Sequence, residues 1–467
     1  MQHFDIAVIG SGSGNSLIDD RFADRKVALI ERHSVFGGTC LNRGCIPTKM
    51  YVYPSDLLSG HEEAEKLGLS LTPGRADWPA IRERIFGRLD SLSESGLRWR
   101  QDSENVTVFQ GEASFVDPHT LSVGDELITA DQIVLATGSR PRMIEAPIAT
   151  EVEQRIHTSD TVMRINELPE RMVILGGGYI AMEFAHIFTS LGVDVTIVHR
   201  SDVLLRGHDE AVSARVAEQM RERVKLRFNQ QVSCIEEGPA DDIAVITADS
   251  NGVEYEYLTD LVLVAIGRQR NYEALNLDAA GVAYAPDGQV RVDATQRTSQ
   301  PHIWALGDIS SDYLLKHVAN HEMRVVQHNL LGGEPIESDH RYVPAAVFTK
   351  PQVACVGATE QQLRDWGVSY VAKVQEYAGV AHGWAMESQG HFVKLLADPV
   401  NWYLLGAHIV GPQAATLIQP LIQAMSFGLT VPEMARGQYW IHPALPEVVE
   451  NALLGLLQQQ PSGDPGA

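Results

Sequence analysis

The chain has 467 residues, of which 44% are hydrophobic and 21% charged, and its formal net charge is −23. This length exceeds what one hydrophobic core supports, so three or four domains are expected. The negative charge disfavours nucleic acids and anionic membranes as partners, and no apolar stretch approaches the roughly 18 residues of a membrane span. The N-terminus lacks signal-peptide features, and four cysteines without tandem spacing form no secreted disulfide framework, so we expect a cytoplasmic protein.

An apolar strand that runs into glycines opens the chain at residues 4–14, FDIAVIGSGSG. The pattern predicts a helix and then a second strand over 26–31, which together make a βαβ unit. The fingerprint contains Gly10, Gly12 and Gly14, with Asn15 in place of its usual last glycine. These glycines permit a tight turn and the close approach of a pyrophosphate. Glu31, at the end of the second strand, stands where an acid binds ribose hydroxyls.

Two cysteines, Cys40 and Cys45, follow in the segment GGTCLNRGCIPTK. The flanking residues predict a tight loop that leads into a helix start, where the helix dipole favours thiolates and redox chemistry. Zinc sites use tighter cysteine pairs, and Cys234 and Cys355 are isolated in sequence, so no metal site is expected. On spacing alone, two buried structural cysteines remain an alternative.

A second strand–glycine–helix pattern, RMVILGGGYIA, occupies residues 171–181 and predicts a second βαβ unit. Its fingerprint contains Gly176 and Gly178, and its second strand is predicted over 194–199. That strand ends in His199-Arg200, with Arg206 nearby and no acid in the ribose position. Basic groups there favour the 2′-phosphate of NADP. The alternative is that the two arginines are surface residues of a loop and bind nothing.

Later segments add candidate groups. Asp308 follows a short predicted strand at 303–305 and could bind a ribityl hydroxyl of a flavin, and a helix through 331 would aim its positive end at reduced-flavin charge. His442 and Glu447 lie near the C-terminus, where a histidine oriented by a carboxylate acts as a general acid and base. Two dinucleotide sites and a redox pair together suggest electron flow from nicotinamide through flavin to disulfide.

The predicted fold class is α/β, with two Rossmann-like dinucleotide-binding domains and a C-terminal α+β domain. Repeated apolar strands at 131–138 and 260–267 indicate that one nucleotide domain is inserted into the other. In the C-terminal domain, strands at 345–348, 392–396 and 403–409 precede one long helix over 414–427. The predicted domain limits are 1–145, 146–270, 271–337 and 338–467, with a polar tail over 461–467.

These motifs together resemble the pyridine-nucleotide–disulfide oxidoreductase family. The likeness runs in order along almost the whole chain through GGTCLNRGCIPTK, ATGSRP, GGGYIAMEFA, AIGR, ALGD and HPALPE. It implies FAD in the first nucleotide domain and NADPH in the second. It also implies that Cys45 is a flavin-facing thiolate and that Cys40 is the interchange thiol, which attacks a small-molecule disulfide.

The resemblance implies further roles. Lys49 would pair with Glu183 beside the flavin, and Tyr179 would gate the nicotinamide pocket. His442 would come from the partner subunit, oriented by Glu447, which implies a homodimer built on the C-terminal domain. The implied cofactor contacts are Gly10, Gly12, Gly14, Glu31, Gly38, Thr39, Lys49, Ala113, Thr137, Gly138, Asp308, His317, Gly176, Gly178, Tyr179, Ile180, Glu183, Arg200, Arg206 and Gly267.

Within the family, the segments GSGSGNS, SSDYLLKHVANHE, DHRYVPAAVFT and QYWIHPALPEVVENALLGL resemble the members that reduce mycothiol disulfide (mycothione). Mycothiol is a neutral sugar conjugate, which the polar and aromatic residues 438–440 suit, whereas glutathione carries carboxylates. Glutathione disulfide stays an alternative substrate, because its reductases share the Arg200/Arg206 spacing. Lipoamide dehydrogenases are disfavoured because they use NAD and typically carry an acid at the position that His199-Arg200 occupy. A regulatory flavin-binding subunit without turnover is a further alternative, which the intact thiols oppose.

Overall fold

A computed structural model describes residues 1–72 and 74–459, so the predicted tail at 461–467 lies outside the described residues. The first segment contains strands β1 (Gln2–Ile9), β2 (Val27–Glu31), β3 (Val106–Gln110), β4 (Ala113–Asp117), β5 (Thr120–Val123), β6 (Glu126–Leu135) and β7 (Ser139–Pro141), and helices α1 (Gly38–Asn42), α2 (Cys45–Ser59), α3 (His61–Lys66) and α4 (Trp78–Gln101). Strands β3, β2, β1 and β6 lie side by side and parallel, and the antiparallel strands β5 and β4 continue from β6. The apolar residues of β1 and β6 are buried, as expected of central parallel strands.

The helix that the sequence predicts between β1 and β2 does not form. Two short 3₁₀ turns, Gly14–Leu17 and Asp20–Phe22, take its place. The guanidinium of Arg100, on α4, donates to the Asn15 carbonyl at 2.5 Å, the Ile18 carbonyl at 2.7 Å and the Asn15 amide oxygen at 2.6 Å. A partner outside the segment thus satisfies carbonyl groups that a continuous helix would pair internally.

The second unit contains strands β8 (Ile156–Thr158), β9 (Arg171–Leu175), β10 (Asp194–Val198), β11 (Lys225–Arg227), β12 (Gln230–Glu237), β13 (Ile243–Asp249), β14 (Glu254–Thr259) and β15 (Leu261–Val264), and helices α5 (Tyr179–Ser190) and α6 (Glu210–Met220). Its parallel sheet has the order β11-β10-β9-β15-β8, and β12, β13 and β14 form a separate antiparallel sheet. Helix α5 starts directly after Gly178, so the helix predicted here is confirmed.

The third segment returns to the first sheet. It contains strands β16 (Arg268–Arg270) and β17 (Ile303–Ala305) and helices α7 (Leu277–Ala280) and α8 (Lys316–Leu330). Strand β17 pairs parallel with β6, which gives the first unit the order β3-β2-β1-β6-β17, the counterpart of the order in the second unit. Strand β16 pairs antiparallel with β7, so the two crossings between the units run side by side.

The C-terminal segment is an α+β unit, as predicted. It contains strands β18 (Ala345–Val347), β19 (Val353–Gly357), β20 (Val371–Glu376), β21 (Phe392–Ala397) and β22 (Leu404–Val410), and helices α9 (Glu360–Asp365), α10 (Ala381–Ala385), α11 (Ala414–Leu417), α12 (Gln419–Phe427), α13 (Val431–Arg436) and α14 (Pro446–Leu456). The sheet is antiparallel, in the order β18-β19-β22-β21-β20. The single helix predicted over 414–427 is wrong, because Pro420 has no backbone N–H and is placed in the first turn of a new helix, α12.

Side-chain pairs join the three units. The imidazole of His186, on α5, lies 2.7 Å from a carboxylate oxygen of Asp56 on α2. Lys394, on β21, pairs with Asp209 of the second unit at 2.7 Å and with Glu360 at 2.6 Å, and its ammonium is almost fully buried. Across residues 1–72 and 74–459, no helix is both long and apolar enough to cross a membrane.

Candidate active site

The two cysteines of the sequence motif meet at the start of a helix. Cys40 lies in α1, and Cys45 is the first residue of α2, which confirms the predicted helix start. Both are free thiols, and the hydrogen bond from Cys40 to Cys45 lowers the pKa of Cys45 to about 7. The same hydrogen bond, together with burial, raises the pKa of Cys40. The pair is therefore asymmetric, because Cys45 ionises first and Cys40 keeps its proton.

Charged groups beside the thiols are paired. The ammonium of Lys49 lies 3.2 Å from a carboxylate oxygen of Glu183 and 3.3 Å from the centroid of the Phe348 ring. Glu183 also accepts the backbone N–H of Phe348 at 2.9 Å, so the C-terminal unit helps to hold it. Burial lowers the pKa of Lys49. Arg43, between the two cysteines in sequence, lies 3.5 Å from Asp160.

A cavity of about 1290 Å³ connects the thiols to the first glycine fingerprint. This volume exceeds the roughly 300–1,000 Å³ of most small-ligand sites, as a dinucleotide requires. The predicted residues that line it are Gly10, Gly12, Glu31, Gly38, Thr39, Cys40, Cys45, Lys49, Ala113, Thr137, Gly138, Tyr179, Ile180, Glu183, Asp308 and His317. The structure thus brings together the redox pair and most residues predicted to bind a cofactor.

The polar groups of this cavity fit FAD. Glu31 accepts hydrogen bonds from the Ser11 amide at 3.0 Å, the Ser11 hydroxyl at 2.6 Å and the His33 amide at 2.9 Å, which leaves acceptor capacity for a ribose hydroxyl. Asp308 accepts from the Ser139 hydroxyl, which in turn accepts from Arg268 at 2.7 Å. At Gly138 a side chain would project into open space of the cavity, so a glycine keeps that space available.

Six predicted cofactor contacts lie outside this cavity. Five of them belong to the second unit or its edge, namely Gly176, Gly178, Arg200, Arg206 and Gly267. The sixth, Gly14, packs on the first sheet, where a side chain would lie 2.9 Å from Val8 and 2.8 Å from Ala136. It shapes the packing of the 3₁₀ turn and contributes nothing to the cavity wall.

The second unit presents a basic surface at the end of β10. Arg200 and Arg206 are exposed, and neither has an ion-pair partner among the residues that the structure describes. Burial and then these two arginines lower the pKa of His199, so an imidazole and two cations share one locality. The His199 ring covers Gly177, where a side chain would lie 2.7 Å from it. The arrangement suits an anion such as the 2′-phosphate of NADP.

His442 and Glu447 form a pair, but they do not line the cavity of their own chain. The Nδ1 atom of His442 lies 2.6 Å from a carboxylate oxygen of Glu447, whose other oxygen accepts the Ala444 amide at 3.1 Å. The hydrogen bond with His442 holds the pKa of Glu447 below its usual range. The His442 side chain is 70% exposed, and Tyr439 and Ile441 beside it are also exposed.

Sequence reasoning missed several residues that shape the site. Lys316 and Ser13 line the cavity, and Phe348 covers the ammonium of Lys49. Arg268 and Ser139 support Asp308. Their partners are distant in sequence, so spacing carries no signal for them. The one sequence signal among these residues is the position of Lys316, next to His317 at a predicted helix start.

The family of the chain follows from comparison with known proteins. Residues 4–328 match the pyridine nucleotide-disulphide oxidoreductase family, and residues 343–453 match its dimerisation domain. The chain is 50% identical to the mycothione reductase of Mycobacterium tuberculosis H37Rv, over 98% of this chain and 100% of that protein. It is 33% identical to the dihydrolipoyl dehydrogenase of Chlamydia muridarum, over 97% of each chain. The solved structure of the flavoprotein disulfide reductase RclA from Escherichia coli superimposes with a TM-score of 0.85 at 27% identity, over 96% of this chain and 99% of that one.

The chain therefore belongs to the pyridine nucleotide-disulphide oxidoreductase family. It is a flavoprotein disulfide reductase that uses FAD and NADPH, which confirms the predicted class and cofactors. The dimerisation domain makes it a homodimer, as predicted.

Proposed function

We propose that this enzyme reduces mycothiol disulfide to mycothiol with electrons from NADPH. The observation that carries the reaction type is the asymmetric thiol pair at the start of α2, beside a cavity that fits FAD. The relative with 50% identity, named mycothione reductase, supports the choice of substrate. FAD, held in the cavity by residues that include Glu31 and Asp308, would supply the transfer of the NADPH electron pair to the Cys40–Cys45 disulfide.

The pKa order supports different roles for the two thiols. Once the pair is reduced, Cys45 is the thiolate at neutral pH and Cys40 is the thiol. Cys40 then loses its proton to His442 of the partner subunit and attacks one sulfur of the substrate, which releases one mycothiol thiolate. His442 returns the proton to that thiolate. The Cys45 thiolate next attacks the Cys40 sulfur, which restores the disulfide and releases the second mycothiol as a thiolate that takes its proton from water.

The remaining site residues act on orientation and charge. Lys49 and Glu183 form an ion pair next to Cys45. Glu447 fixes the tautomer of His442 through its contact with Nδ1. The exposure of His442 and its distance from its own cavity support a site completed across the dimer. Arg200 and Arg206 bind the 2′-phosphate of NADPH, and Tyr179 gates the nicotinamide pocket.

The charge balance around the thiols supports a neutral substrate. Arg43 and Lys49, the cations nearest the pair in sequence, face Asp160 and Glu183. These two cations are thus balanced by carboxylates of the protein and are not free to pair with the carboxylates of glutathione, whereas a sugar conjugate needs only hydrogen-bonding groups. The thiols cycle between states, which favours a reducing compartment, and we place the enzyme in the cytoplasm. The domain limits 1–145, 146–270, 271–337 and 338–467 stand as part of this proposal.

Side-by-side steady-state assays with NADPH and mycothiol disulfide, glutathione disulfide or lipoamide test the substrate. We expect mycothiol disulfide to have the highest kcat/KM. A preference for either other disulfide would overturn the substrate while leaving the reductase class intact. Lipoamide is the second candidate, because a relative of 33% identity carries the name dihydrolipoyl dehydrogenase.

Mixed dimers test the shared site. His442→Ala should slow disulfide turnover by about 10²–10⁴-fold, while flavin reduction by NADPH survives, because that step needs no proton from His442. Mixing His442→Ala subunits with Cys40→Ser subunits should restore some activity, since one of the two sites then holds both intact residues. Verified heterodimers without any activity would show that both residues act within one chain.

A further inference from the structure

The first nucleotide-binding unit lacks the feature that usually holds a dinucleotide diphosphate. In such units a helix begins at the glycine turn, and its free N–H groups and dipole attract the phosphates. Here the turn leads into a 3₁₀ segment of four residues, Gly14–Leu17, which is too short to supply that dipole. The diphosphate of FAD therefore needs positive charge from elsewhere.

A lysine supplies charge at this place. Lys316 is the first residue of α8, and its ammonium donates to the Ser13 hydroxyl at 2.7 Å, although the two residues are 303 positions apart. Ser13 lies inside the glycine fingerprint, directly before the 3₁₀ turn, and its hydroxyl does not cap that turn. Both side chains line the FAD cavity.

Lys316 also differs from the other cations of the cavity. Among the described residues that line it, each of the other lysines and arginines has a carboxylate within ion-pair distance. These pairs are Arg32–Glu112, Arg43–Asp160, Lys49–Glu183, Arg140–Glu273 and Arg268–Asp308. Lys316 has only a neutral hydroxyl as its partner. A cation whose only partner is a neutral hydroxyl is available to bind an anion.

We propose that Lys316, positioned by Ser13, binds the diphosphate of FAD in place of the missing helix. The lysine would offer a charge-assisted hydrogen bond where a longer helix offers backbone N–H groups. The proximity of Lys316 to the thiols, where its charge lowers the pKa of Cys45, makes the thiolate the competing target of this lysine. The experiment must therefore distinguish binding of Lys316 to the FAD diphosphate from its interaction with the Cys45 thiolate.

Dissociation of FAD from the full-length enzyme provides the test. Lys316→Met should raise the Kd for FAD, measured from the flavin fluorescence of released cofactor, by about 10- to 100-fold. Lys316→Arg, which keeps the charge, should restore most of the affinity, and Ser13→Ala should cost less than Lys316→Met. Arg324→Met is the matched control, because it removes a cation from the exposed face of the same helix.

Phosphorus NMR of the bound cofactor gives a second readout that does not depend on turnover. The diphosphate resonances should shift in Lys316→Met and stay unchanged in Arg324→Met. Equal Kd values for these two variants would overturn the proposal. So would a Lys316→Met enzyme that changes the pKa of Cys45 but leaves the Kd for FAD and the phosphorus resonances unaltered. If Lys316→Met does not fold, Lys316→Gln is measured in its place by the same criteria.

Discussion

The two nucleotide-binding units share one turn down to its atomic contacts. Gly10 has φ +113° and Gly176 has φ +126°, and the amide of each donates to a carbonyl of the neighbouring strand at 2.8 and 2.9 Å. A side chain at either glycine would lie 2.3 Å from a carbonyl oxygen, that of Ala136 in the first unit and of Ala265 in the second. The strand order and this turn are therefore the parts that both units need.

The units differ directly after the turn. The second continues into the 12-residue helix α5, whereas the first contains only 3₁₀ turns held by Arg100 of α4. The ribose position differs as well, since Glu31 ends β2 and His199 follows β10. The turn is therefore common to both units, whereas the helix and the ribose contact differ between the unit that binds FAD and the unit that binds NADPH.

The largest effects are expected at the shared turn. In Gly10→Ala and in Gly176→Ala, backbone strain and a clash against backbone each cost about 1–3 kcal/mol, so the two costs together reach about 2–6 kcal/mol. Gly10→Ala should yield protein without FAD, and Gly176→Ala should keep FAD but lose its reduction by NADPH. Flavin absorbance before and after NADPH addition measures both.

Gly87→Ala serves as the control, because this glycine lies in α4 with open space where the methyl group would be. It should retain FAD and NADPH reduction. A Gly10→Ala enzyme with full flavin content would show that the two turns are not equivalent in function.

The next largest effect is expected at Arg100, which holds the 3₁₀ turns that replace the helix of the first unit. Arg100→Met removes three hydrogen bonds and leaves the carbonyls of Asn15 and Ile18 without their partner. Loss of one partner of buried polar groups should lower the free energy of unfolding by about 3–5 kcal/mol. Urea unfolding of the FAD-loaded enzyme measures it. Arg98→Met, on the exposed face of the same helix, should change it by less than about 1 kcal/mol, and equal losses would contradict our account of the 3₁₀ segment.

The strands were predictable from sequence, whereas the 3₁₀ segment was not. Apolar runs such as 4–9 and 171–175 mark central parallel strands, because such strands are buried on both faces. The segment after Gly10 has apolar residues too, but its structure depends on Arg100, more than 80 positions away. Local sequence cannot report a distant guanidinium that captures backbone carbonyls.

The site residues likewise divide into those that local motifs predict and those that depend on contacts between distant segments. The thiol pair and the two fingerprints are local motifs, so their positions at a helix start and at two turns could be predicted. Lys316 and Phe348 act through contacts between segments hundreds of residues apart or in different units. The acid–base pair of His442 and Glu447 is a local motif as well, but its place beside the thiols of the partner subunit follows only from resemblance, since no spacing connects His442 with Cys40.

The ribose positions provide a prediction of intermediate size. Arg200→Gln together with Arg206→Gln should raise the KM for NADPH well over tenfold, because each charge-assisted contact to a 2′-phosphate is worth about 1.5–3 kcal/mol before solvent screening reduces it. The KM for NADH, which lacks that phosphate, should hardly change. Steady-state kinetics with both cofactors measures the ratio. Arg221→Gln, elsewhere on the second unit, is the control, and an equal rise for both cofactors would mean that the two arginines are structural.

The thiol pair lies where the two units meet, so groups from both units should affect the pH at which Cys45 ionises. In the reduced enzyme the thiolate of Cys45 should form as pH rises through about 7, since the hydrogen bond from Cys40 favours the ionised form. Cys40→Ala removes that donor and should move the midpoint upwards, towards an ordinary thiol. The long-wavelength absorbance of a thiolate beside oxidised flavin follows the titration. An unchanged midpoint would contradict the assigned hydrogen bond.

The smallest effect concerns one carboxylate of the second unit. The charge of Glu183 raises the pKa of Cys45, whereas that of Lys316, in the third segment, lowers it. In Glu183→Gln the opposing charge is gone and Lys49 loses its partner, so both changes favour the thiolate and the midpoint should fall. At a pH below 7 the variant should therefore hold more thiolate than the wild type in the same absorbance titration. Glu273→Gln, a cavity carboxylate paired with Arg140, should leave the midpoint unchanged. If Glu183→Gln instead raises the midpoint, the carboxylate acts on Cys45 mainly by positioning Lys49, and the second unit influences the thiols through contact geometry.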